Sequence, residues 1–202
     1  MYPKDLGCLY LHGFLSSPQS QKAQELQALF DRHAPGQLRV PVLPFAPAEA
    51  IELARAELAR LQQQFPRVLI IGSSLGGFYA THLTETFGVK AALINPAVRP
   101  FALFEHYLGP NRHFYTGEVH ELTLEHIQQL QQLDCPTIKH PENLFLLLQT
   151  GDETLDYRLA AQLYRQCPGW LEGGGNHSFQ RFTERLPMLL HWGSLSYTPA
   201  HY

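Results

Sequence analysis

The segment Val68-Leu69-Ile70-Ile71-Gly72-Ser73-Ser74-Leu75-Gly76-Gly77 decides the fold of this 202-residue chain. Its first four residues form a continuous apolar run between Pro66 and Gly72, which is typical of a strand buried on both faces of a parallel sheet. The Gly-x-Ser-x-Gly pattern comes next, where a helix is predicted to begin near Leu75. A strand-turn-helix setting of this kind exposes the central serine hydroxyl on a tight turn. We therefore take Ser74 as the candidate nucleophile.

Outward from this segment, short apolar runs alternate with helical periodicity in both directions along the chain. Strands that alternate with helices form right-handed crossover units, so the pattern predicts an α/β fold with a mostly parallel sheet flanked by helices. The predicted strands are residues 8–11, 38–43, 68–71, 91–94, 144–148 and 170–171, of which 38–43 is interrupted by proline and expected at an edge. The predicted helices lie around residues 23–30, 51–65, 75–87, 155–166 and 178–191.

One connection is much longer than the others. About fifty residues separate the strand that ends at Ile94 from the strand that begins at Leu144, where a single crossover helix would suffice. Connections of this length inside a compact domain usually have a function. We expect one domain over residues 1–202, with a helical cap insertion at about 99–142 that covers the substrate.

A serine hydroxyl is a weak nucleophile at neutral pH and needs a base that is itself oriented by a carboxylate. For this kind of turn the order along the chain is serine, acid, histidine. His177 follows the last predicted strand in a glycine-rich loop, which predicts it as the base. Asp152 follows the strand at 144–148 and is the predicted acid, with Glu153 and Asp156 as alternatives. Asp156 also has the sequence position of a helix N-cap.

Acyl transfer places negative charge on the carbonyl oxygen, and backbone N–H groups can stabilise that charge. The N–H of Leu75, directly after the candidate nucleophile, is one predicted donor. The second is expected from the loop after the first strand, where we predict the N–H of Phe14, with Leu15 as the alternative. His12 ends that strand and is predicted to brace the loop.

Composition excludes several classes of function. The chain has 15 Lys and Arg against 18 Asp and Glu, a net charge of −3, which disfavours a nucleic acid or an anionic membrane as partner. No apolar run has the length of a signal peptide or a membrane span, so we expect a cytoplasmic protein. The three cysteines have no metal-binding or redox spacing and are expected to be small buried side chains. No metal or nucleotide motif is found, and we expect no cofactor.

Longer motifs occur along most of the chain, namely Tyr10-Leu11-His12-Gly13-Phe14, Ser16-Ser17-Pro18 with Lys22, the stretch from Gly72 to Thr81, Asn95-Pro96-Ala97-Val98-Arg99-Pro100, Tyr115-Thr116-Gly117, Gln149-Thr150-Gly151-Asp152-Glu153, Asp156-Tyr157-Arg158, Glu172-Gly173-Gly174, Asn176-His177 and Phe179. Together they resemble the α/β-hydrolase superfamily and, within it, the YqiA-type bacterial esterases. The resemblance implies a small cytoplasmic carboxylesterase, and its motifs match Ser74, Asp152 and His177 in the roles given above. The chain departs from the pattern at its third consecutive glycine, Gly175, and beyond Leu190.

These features predict a serine carboxylesterase that hydrolyses a small-molecule ester through an acyl-enzyme intermediate. A thioester such as an acyl-CoA fits the same chemistry, and Arg99, Arg112 and Lys139 near the insertion could then contact phosphates. A non-catalytic binding protein on the same fold is the other alternative. The sequence predicts no particular oligomeric state.

Apolar side chains near the predicted site could line a pocket for an acyl chain. The candidates for substrate binding are Leu15, Phe78, Phe101 and Phe104, to which Phe14 and Phe114 can be added. Ordinary core packing is the alternative for about half of this set.

Overall fold

A computed structural model describes residues 2–195, which form a parallel six-stranded sheet with helices on both faces. The strands are β1 (Leu6–Leu11), β2 (Leu38–Arg39), β3 (Arg67–Ser73), β4 (Lys90–Ile94), β5 (Gly109–Arg112), β6 (Val119–Leu122), β7 (Leu144–Gln149) and β8 (Gly169–Glu172). The α-helices are α1 (Gln21–His33), α2 (Pro47–Gln64), α3 (Leu75–Phe87), α4 (Pro100–Phe104), α5 (Leu124–Gln132), α6 (Tyr157–Leu163) and α7 (Phe182–Ser194). Short 3₁₀ helices cover Glu105–Tyr107 and Pro141–Asn143.

The main sheet has the strand order β2-β1-β3-β4-β7-β8, and each neighbouring pair is parallel. The four inner strands are almost wholly buried, which agrees with their continuous apolar runs. At the edge, β2 is only two residues long, because Pro41 and Pro44 interrupt the segment and proline cannot donate to a ladder. The predicted α/β fold is confirmed, with a shorter edge strand than the sequence suggested.

Helices cover the two faces of the sheet in two groups. The core on one face joins α1 and α7 to β-strand side chains such as Tyr10 and Ile71. The core on the other face joins α2 and α3 to their neighbours in the strands, such as Leu9 and Ile70. Fully burying one such aliphatic side chain stabilises the folded state by roughly 1.5–3 kcal/mol. Over residues 2–195, none of the helices is long and apolar enough to cross a membrane.

The long connection between β4 and β7 is not purely helical. It contains α4, an antiparallel hairpin of β5 and β6, and α5. The hairpin alternates exposed and half-buried residues along β5, which is the period of a strand with one face toward the protein. Its turn is attached to the body of the protein by the N–H of Phe114, which donates to the carbonyl of Leu15 at 3.1 Å. The sequence predicts a helical insertion here, and the β5–β6 hairpin corrects that expectation.

The three cysteines are unpaired thiols. Cys8 is fully buried in β1, and Cys135 and Cys167 are half-buried. Burial raises the pKa of the Cys135 thiol to about 11 and the pKa of the Cys167 thiol to about 12. Burial raises the pKa of the Cys8 thiol as well, so the protonated form of all three thiols is favoured near neutral pH.

The turn between β3 and α3 requires glycine because backbones approach each other closely there. A Cβ atom on Gly76 would overlap the carbonyl of Leu11 at the end of β1, and one on Gly72 would overlap the carbonyl of Gly76. A Cβ on Gly77 would lie 2.7 Å from the Cβ of Pro96, after β4. Backbone atoms cannot move aside as a flexible side chain can. The glycines thus allow β1, β3 and β4 to meet α3 at one point.

Replacing Gly76 by alanine should therefore destabilise the protein. We expect Gly76→Ala to lower the free energy of unfolding by about 3 kcal/mol, because the new methyl group meets backbone atoms of β1. Gly173→Ala is the matched control, since a Cβ there meets no atom within 4 Å. The midpoint of urea unfolding measures both variants, and an unchanged midpoint for Gly76→Ala would contradict the packing described.

Candidate active site

Ser74 lies on the turn between β3 and α3 in a rare backbone conformation, with φ 56° and ψ −121°. Such a conformation in a residue other than glycine costs of order 1–3 kcal/mol and persists only when its surroundings hold it. Here the Ser74 N–H donates to the carbonyl of Ile94 at 3.0 Å, and the Ser74 carbonyl accepts from the N–H of Ala97 at 3.0 Å. The end of β4 therefore fixes the turn that presents the serine.

His177 and Asp152 are in direct contact. The Nδ1 atom of His177 lies 2.8 Å from one carboxylate oxygen of Asp152 and 3.0 Å from the other. The Asp152 side chain is only 1% exposed, and the His177 side chain is 22% exposed. Donation from Nδ1–H to the carboxylate leaves Nε2 of the neutral ring free to accept a proton.

The carboxylate of Asp152 is kept ionised by the hydrogen bonds that it accepts. Burial raises the pKa of Asp152, but the bonds from His177 and from the N–H groups of Leu155 and Thr154 outweigh burial and bring the pKa below its ordinary value. Those two N–H groups lie 2.8 and 2.9 Å from one carboxylate oxygen. An ionised carboxylate at this position can stabilise a positive charge on the imidazole.

The two other acids considered for this role have different positions. The carboxylate of Glu153 accepts the backbone N–H of His177 at 2.9 Å, so it holds the loop and not the ring. The side chain of Asp156 caps α6 by accepting the N–H of Arg158 at 3.0 Å, as its sequence position predicted. Of the three, Asp152 is the one whose side chain contacts the imidazole.

Two buried amides, which the sequence analysis did not assign, clamp the loop that carries His177. Asn95 is 1% exposed, and its Nδ2 donates to the carbonyls of Asn176 and His177 at 3.0 and 3.1 Å. Gln149 is 2% exposed, and its Oε1 accepts the N–H groups of Asn176 and Gln180 at 3.2 and 2.8 Å. The two residues are also bonded to each other, because the backbone N–H of Gln149 donates to Oδ1 of Asn95 at 3.0 Å. Asn95 follows one buried strand and Gln149 ends another, and a polar residue at the end of an apolar run is the one signal that could have indicated them.

The glycine-rich loop before His177 is anchored, although its composition suggested flexibility. Gly174 and Gly175 have φ values of 75° and 77°, a region that favours glycine. The Gly174 N–H donates to the hydroxyl of Thr150 at 2.9 Å, and its carbonyl accepts from Gly151 at 2.8 Å. A Cβ on Gly175 would overlap the side chain of Gln149. Gly175, the third consecutive glycine, therefore packs directly against the Gln149 side chain that holds the loop.

Two backbone N–H groups near Ser74 are available for a ligand. Leu75 is the first residue of α3, where N–H groups have no partner within the helix. Neither Leu75 nor Phe14 donates its N–H to a protein acceptor within the described part of the chain. Leu15, the alternative donor, has φ 54° in the same loop. The loop is braced by His12, whose Nε2 accepts the Leu43 N–H at 3.1 Å.

Ser74 and His177 face one cavity of about 940 Å³. Between residues 2 and 195, no hydrogen bond joins the Ser74 hydroxyl to His177. The wall includes Leu75 and four of the aromatic or aliphatic candidates for substrate binding. Three of these four, Phe14, Leu15 and Phe104, are buried or half-buried.

The remaining substrate-binding candidates divide into two groups. Phe114 lines the cavity but is 76% exposed, at its outer edge. Phe78 is 5% exposed within the core on the α2 and α3 side and lines a small separate pocket of about 10 Å³. Phe101 packs against the same core and carries the guanidinium of Arg99 over its ring. Phe78 and Phe101 thus lie outside the wall of the large cavity, because their faces of α3 and α4 point into the core.

Residues 2–195 contain no group of three or more His, Cys, Asp or Glu side chains arranged to hold a metal ion.

The chain has the α/β-hydrolase fold, with a strained serine after a central strand and a paired aspartate and histidine in the loops after later strands. The family model described as Uncharacterised protein family UPF0227 matches residues 7–193, and the chain belongs to that family. The resemblance to YqiA-type esterases is confirmed by this match.

Solved structures with the same fold include several esterases. The esterase domain of a Rhodothermus marinus protein is 19% identical with a TM-score of 0.63, covering 96% of this chain and 86% of that one. Est1E from Butyrivibrio proteoclasticus with bound ferulic acid is 15% identical with a TM-score of 0.64, covering 93% and 88%. A structure of the metagenome-derived lipolytic enzymes LipS and LipT is 18% identical with a TM-score of 0.64, covering 95% and 93%. At these identities the likeness establishes the fold.

The depressed pKa of Asp152 predicts a pH-dependent contribution to stability. A carboxyl group whose pKa is lower in the folded state adds stability above its unfolded pKa of about 3.9, and this stability is lost as the pH falls through the folded value. We expect Asp152→Asn to cost about 1 kcal/mol at pH 7 and progressively less as the pH falls from 5 to 3. Urea unfolding across that pH range measures the difference. Asp31→Asn, at an exposed carboxylate on α1, is the control, and a cost that stays constant down to pH 3 would contradict the prediction.

Asn95→Asp should loosen the His177 loop. The substitution keeps the size of the side chain but removes the Nδ2 donor and turns a carboxylate toward the carbonyls of Asn176 and His177. We expect the amides of residues 174–180 to exchange with deuterium at least about tenfold faster, while β1 remains protected. Asn143→Asp, in the 3₁₀ helix directly before β7 and so at the other end of that strand from the loop, is the matched control. Unchanged exchange in the loop would show that the clamp does not hold it.

Proposed function

We propose that this protein is a serine esterase that hydrolyses carboxylic esters of small molecules through Ser74, His177 and Asp152. The observation that carries the proposal is that His177 lines the cavity that Ser74 faces and that its Nδ1 contacts the buried carboxylate of Asp152. A histidine held in this way can accept the proton of a serine hydroxyl. The esterases of the same fold add support at the level of architecture.

In the proposed reaction, the Ser74 hydroxyl attacks the ester carbonyl carbon while His177 Nε2 takes its proton. Asp152 stabilises the imidazolium that results. The carbonyl oxygen becomes negatively charged and accepts hydrogen bonds from the backbone N–H groups of Leu75 and Phe14. The tetrahedral intermediate then collapses, and His177 gives its proton to the departing alkoxide. Water, deprotonated by His177, then attacks the acyl-enzyme carbonyl carbon. The bond to the Ser74 oxygen breaks, that oxygen takes the proton back from His177, and the acid is released.

The apolar residues that line the cavity favour an ester with an apolar acyl chain. Phe14, Leu15 and Phe104 contribute apolar side chains to the cavity wall, and the ring centroids of Phe14 and Phe104 are 4.5 Å apart. Burying an acyl chain against such a wall contributes about 0.8 kcal/mol per methylene. We therefore propose that Leu15 and Phe104 contact the substrate.

A thioester can be attacked by the same serine, but the basic residues considered for a phosphate-rich substrate are dispersed. Arg112 lines the cavity, whereas Arg99 lies 3.5 Å from the carboxylate of Asp134. Lys139 is exposed and outside the cavity wall, where its N–H donates to Glu85 at 3.0 Å. This dispersal favours a simple carboxylic ester over an acyl-CoA.

Removal of the nucleophile should abolish hydrolysis. We expect Ser74→Ala to lower kcat for short 4-nitrophenyl esters by about 10⁶-fold, the loss measured on removing the serine of subtilisin. Ser16→Ala is the matched control, because it removes a serine hydroxyl from the same cavity but leaves the proposed nucleophile in place. Release of 4-nitrophenolate by the purified proteins is the measurement, with acyl-CoA turnover assayed in parallel.

A fluorophosphonate probe separates this proposal from a non-catalytic binding role. The wild-type protein should be labelled on Ser74, as identified by peptide mapping, and Ser74→Ala should not be labelled. An unlabelled wild-type protein that also fails to hydrolyse the esters would refute the proposal and favour the binding protein.

A further inference from the structure

A lysine that the proposed reaction does not use lines the same cavity. Lys22 lies in the first turn of α1 and is half-buried. Its Nζ donates to the backbone carbonyl of Ser178, directly after His177. A neutral carbonyl satisfies one of the three donors of an ammonium group but does not balance its charge. Lys22 is thus a partly desolvated cation beside the candidate base.

No carboxylate within residues 2–195 lies within 4.0 Å of the Lys22 ammonium. Glu25, one turn further along α1, also lines the cavity, but its carboxylate accepts from Gln21 at 2.8 Å. Asp152 is engaged by His177. Burial lowers the pKa of Lys22 to about 8, although Glu25 and Asp152 both act to raise it. Desolvation therefore exceeds the compensation that the protein supplies.

The balance of charge around the cavity is positive. Its wall carries the basic side chains of Lys22, Arg112 and Arg181 and the acidic side chain of Glu25. Arg181 is compensated by Glu172 and Glu184, at 3.7 and 3.8 Å. Arg112, at the end of β5, is exposed and has no carboxylate within 4.0 Å in the described part of the chain. An anion that enters the cavity therefore meets one cation at its rim and a second one inside.

We propose that Lys22 binds a carboxylate carried by the ester substrate, so that the enzyme prefers anionic esters over neutral ones of the same shape. This inference rests on the proposed function and names its substrate class. A single partly buried ammonium matches a singly charged carboxylate, and a charge-assisted hydrogen bond between them is stronger than a neutral one. Arg112 at the rim attracts the same anion before it binds.

Matched esters test the preference. One pair is the 4-nitrophenyl monoester of adipic acid and its methyl-capped diester, with the charge on the acyl side. The other pair is the acetate ester of 4-hydroxybenzoate and the acetate ester of methyl 4-hydroxybenzoate, with the charge on the alcohol side. We expect wild-type kcat/KM to favour the anionic member of one pair by about tenfold, and that pair identifies the side that Lys22 contacts.

Variants then locate the preference. Lys22→Met should reduce the ratio of kcat/KM between anionic and neutral ester by about tenfold, and Lys22→Arg should retain it. If Lys22 also stabilises the loop of His177, its loss lowers kcat/KM for both esters by the same factor. That factor cancels in the ratio of kcat/KM between the anionic and the neutral ester. Lys139→Met, which removes one exposed positive charge outside the cavity wall, is the control and should leave the ratio unchanged.

Three outcomes would overturn the inference while leaving the esterase proposal intact. They are equal turnover of both members in each pair, a faster neutral ester, and an equal loss on both esters in Lys22→Met. Absence of all ester turnover would instead refute the proposed function. Calorimetry with Ser74→Ala then tests the binding site by itself, because the 4-nitroanilide of adipic acid should bind more tightly than its methyl ester only if Lys22 holds the carboxylate.

Discussion

The close backbone contact at Gly76 is the constraint on which the rest of the site depends. Because the start of α3 lies directly against the last carbonyl of β1, the turn after β3 and the loop after β1 must be neighbours. Gly13 is so close to the turn that a Cβ on it would lie 3.2 Å from the Cβ of Ser74. The candidate nucleophile and the two N–H groups of Leu75 and Phe14 are therefore brought together by main-chain packing, before any side chain is considered.

The second half of the site is built by hydrogen bonds at the carboxyl ends of β4 and β7. In an open parallel sheet the loops at this edge come from different strands and lie side by side. Asn95 follows β4, Gln149 ends β7, and together they hold the loop after β8 that carries His177. Both amides are buried and have partners at both polar atoms, so breaking one bond exposes an unsatisfied group. Neighbouring strands thus supply the rigidity that a glycine-rich loop lacks by itself.

The cavity lies between these two halves of the site and has one apolar wall and one cationic wall. Its apolar wall comes from the loop after β1 and from α4, whereas its cationic wall comes from α1 and from the hairpin of β5 and β6. The hairpin reaches the cavity because the Phe114 N–H bonds to the carbonyl of Leu15. An insertion far along the chain is thereby joined to the loop that provides a proposed oxyanion donor. Selection of a substrate by shape and by charge would then use different elements of the fold.

The sequence by itself determined the parallel sheet, the strained serine after β3, and the positions of Asp152 and His177 at strand ends, because these follow from apolar runs and from residue types that a tight turn demands. It also placed the cap of α6 at Asp156. Only the tertiary structure decided that Phe78 and Phe101 face the core, that Asn95 and Gln149 clamp the loop, and that a hairpin lies within the insertion. These depend on contacts between residues distant along the chain. Residues that are distant along the chain set the direction of a side chain at a strand end and the pairing of short polar strands. The local sequence pattern therefore cannot predict either one.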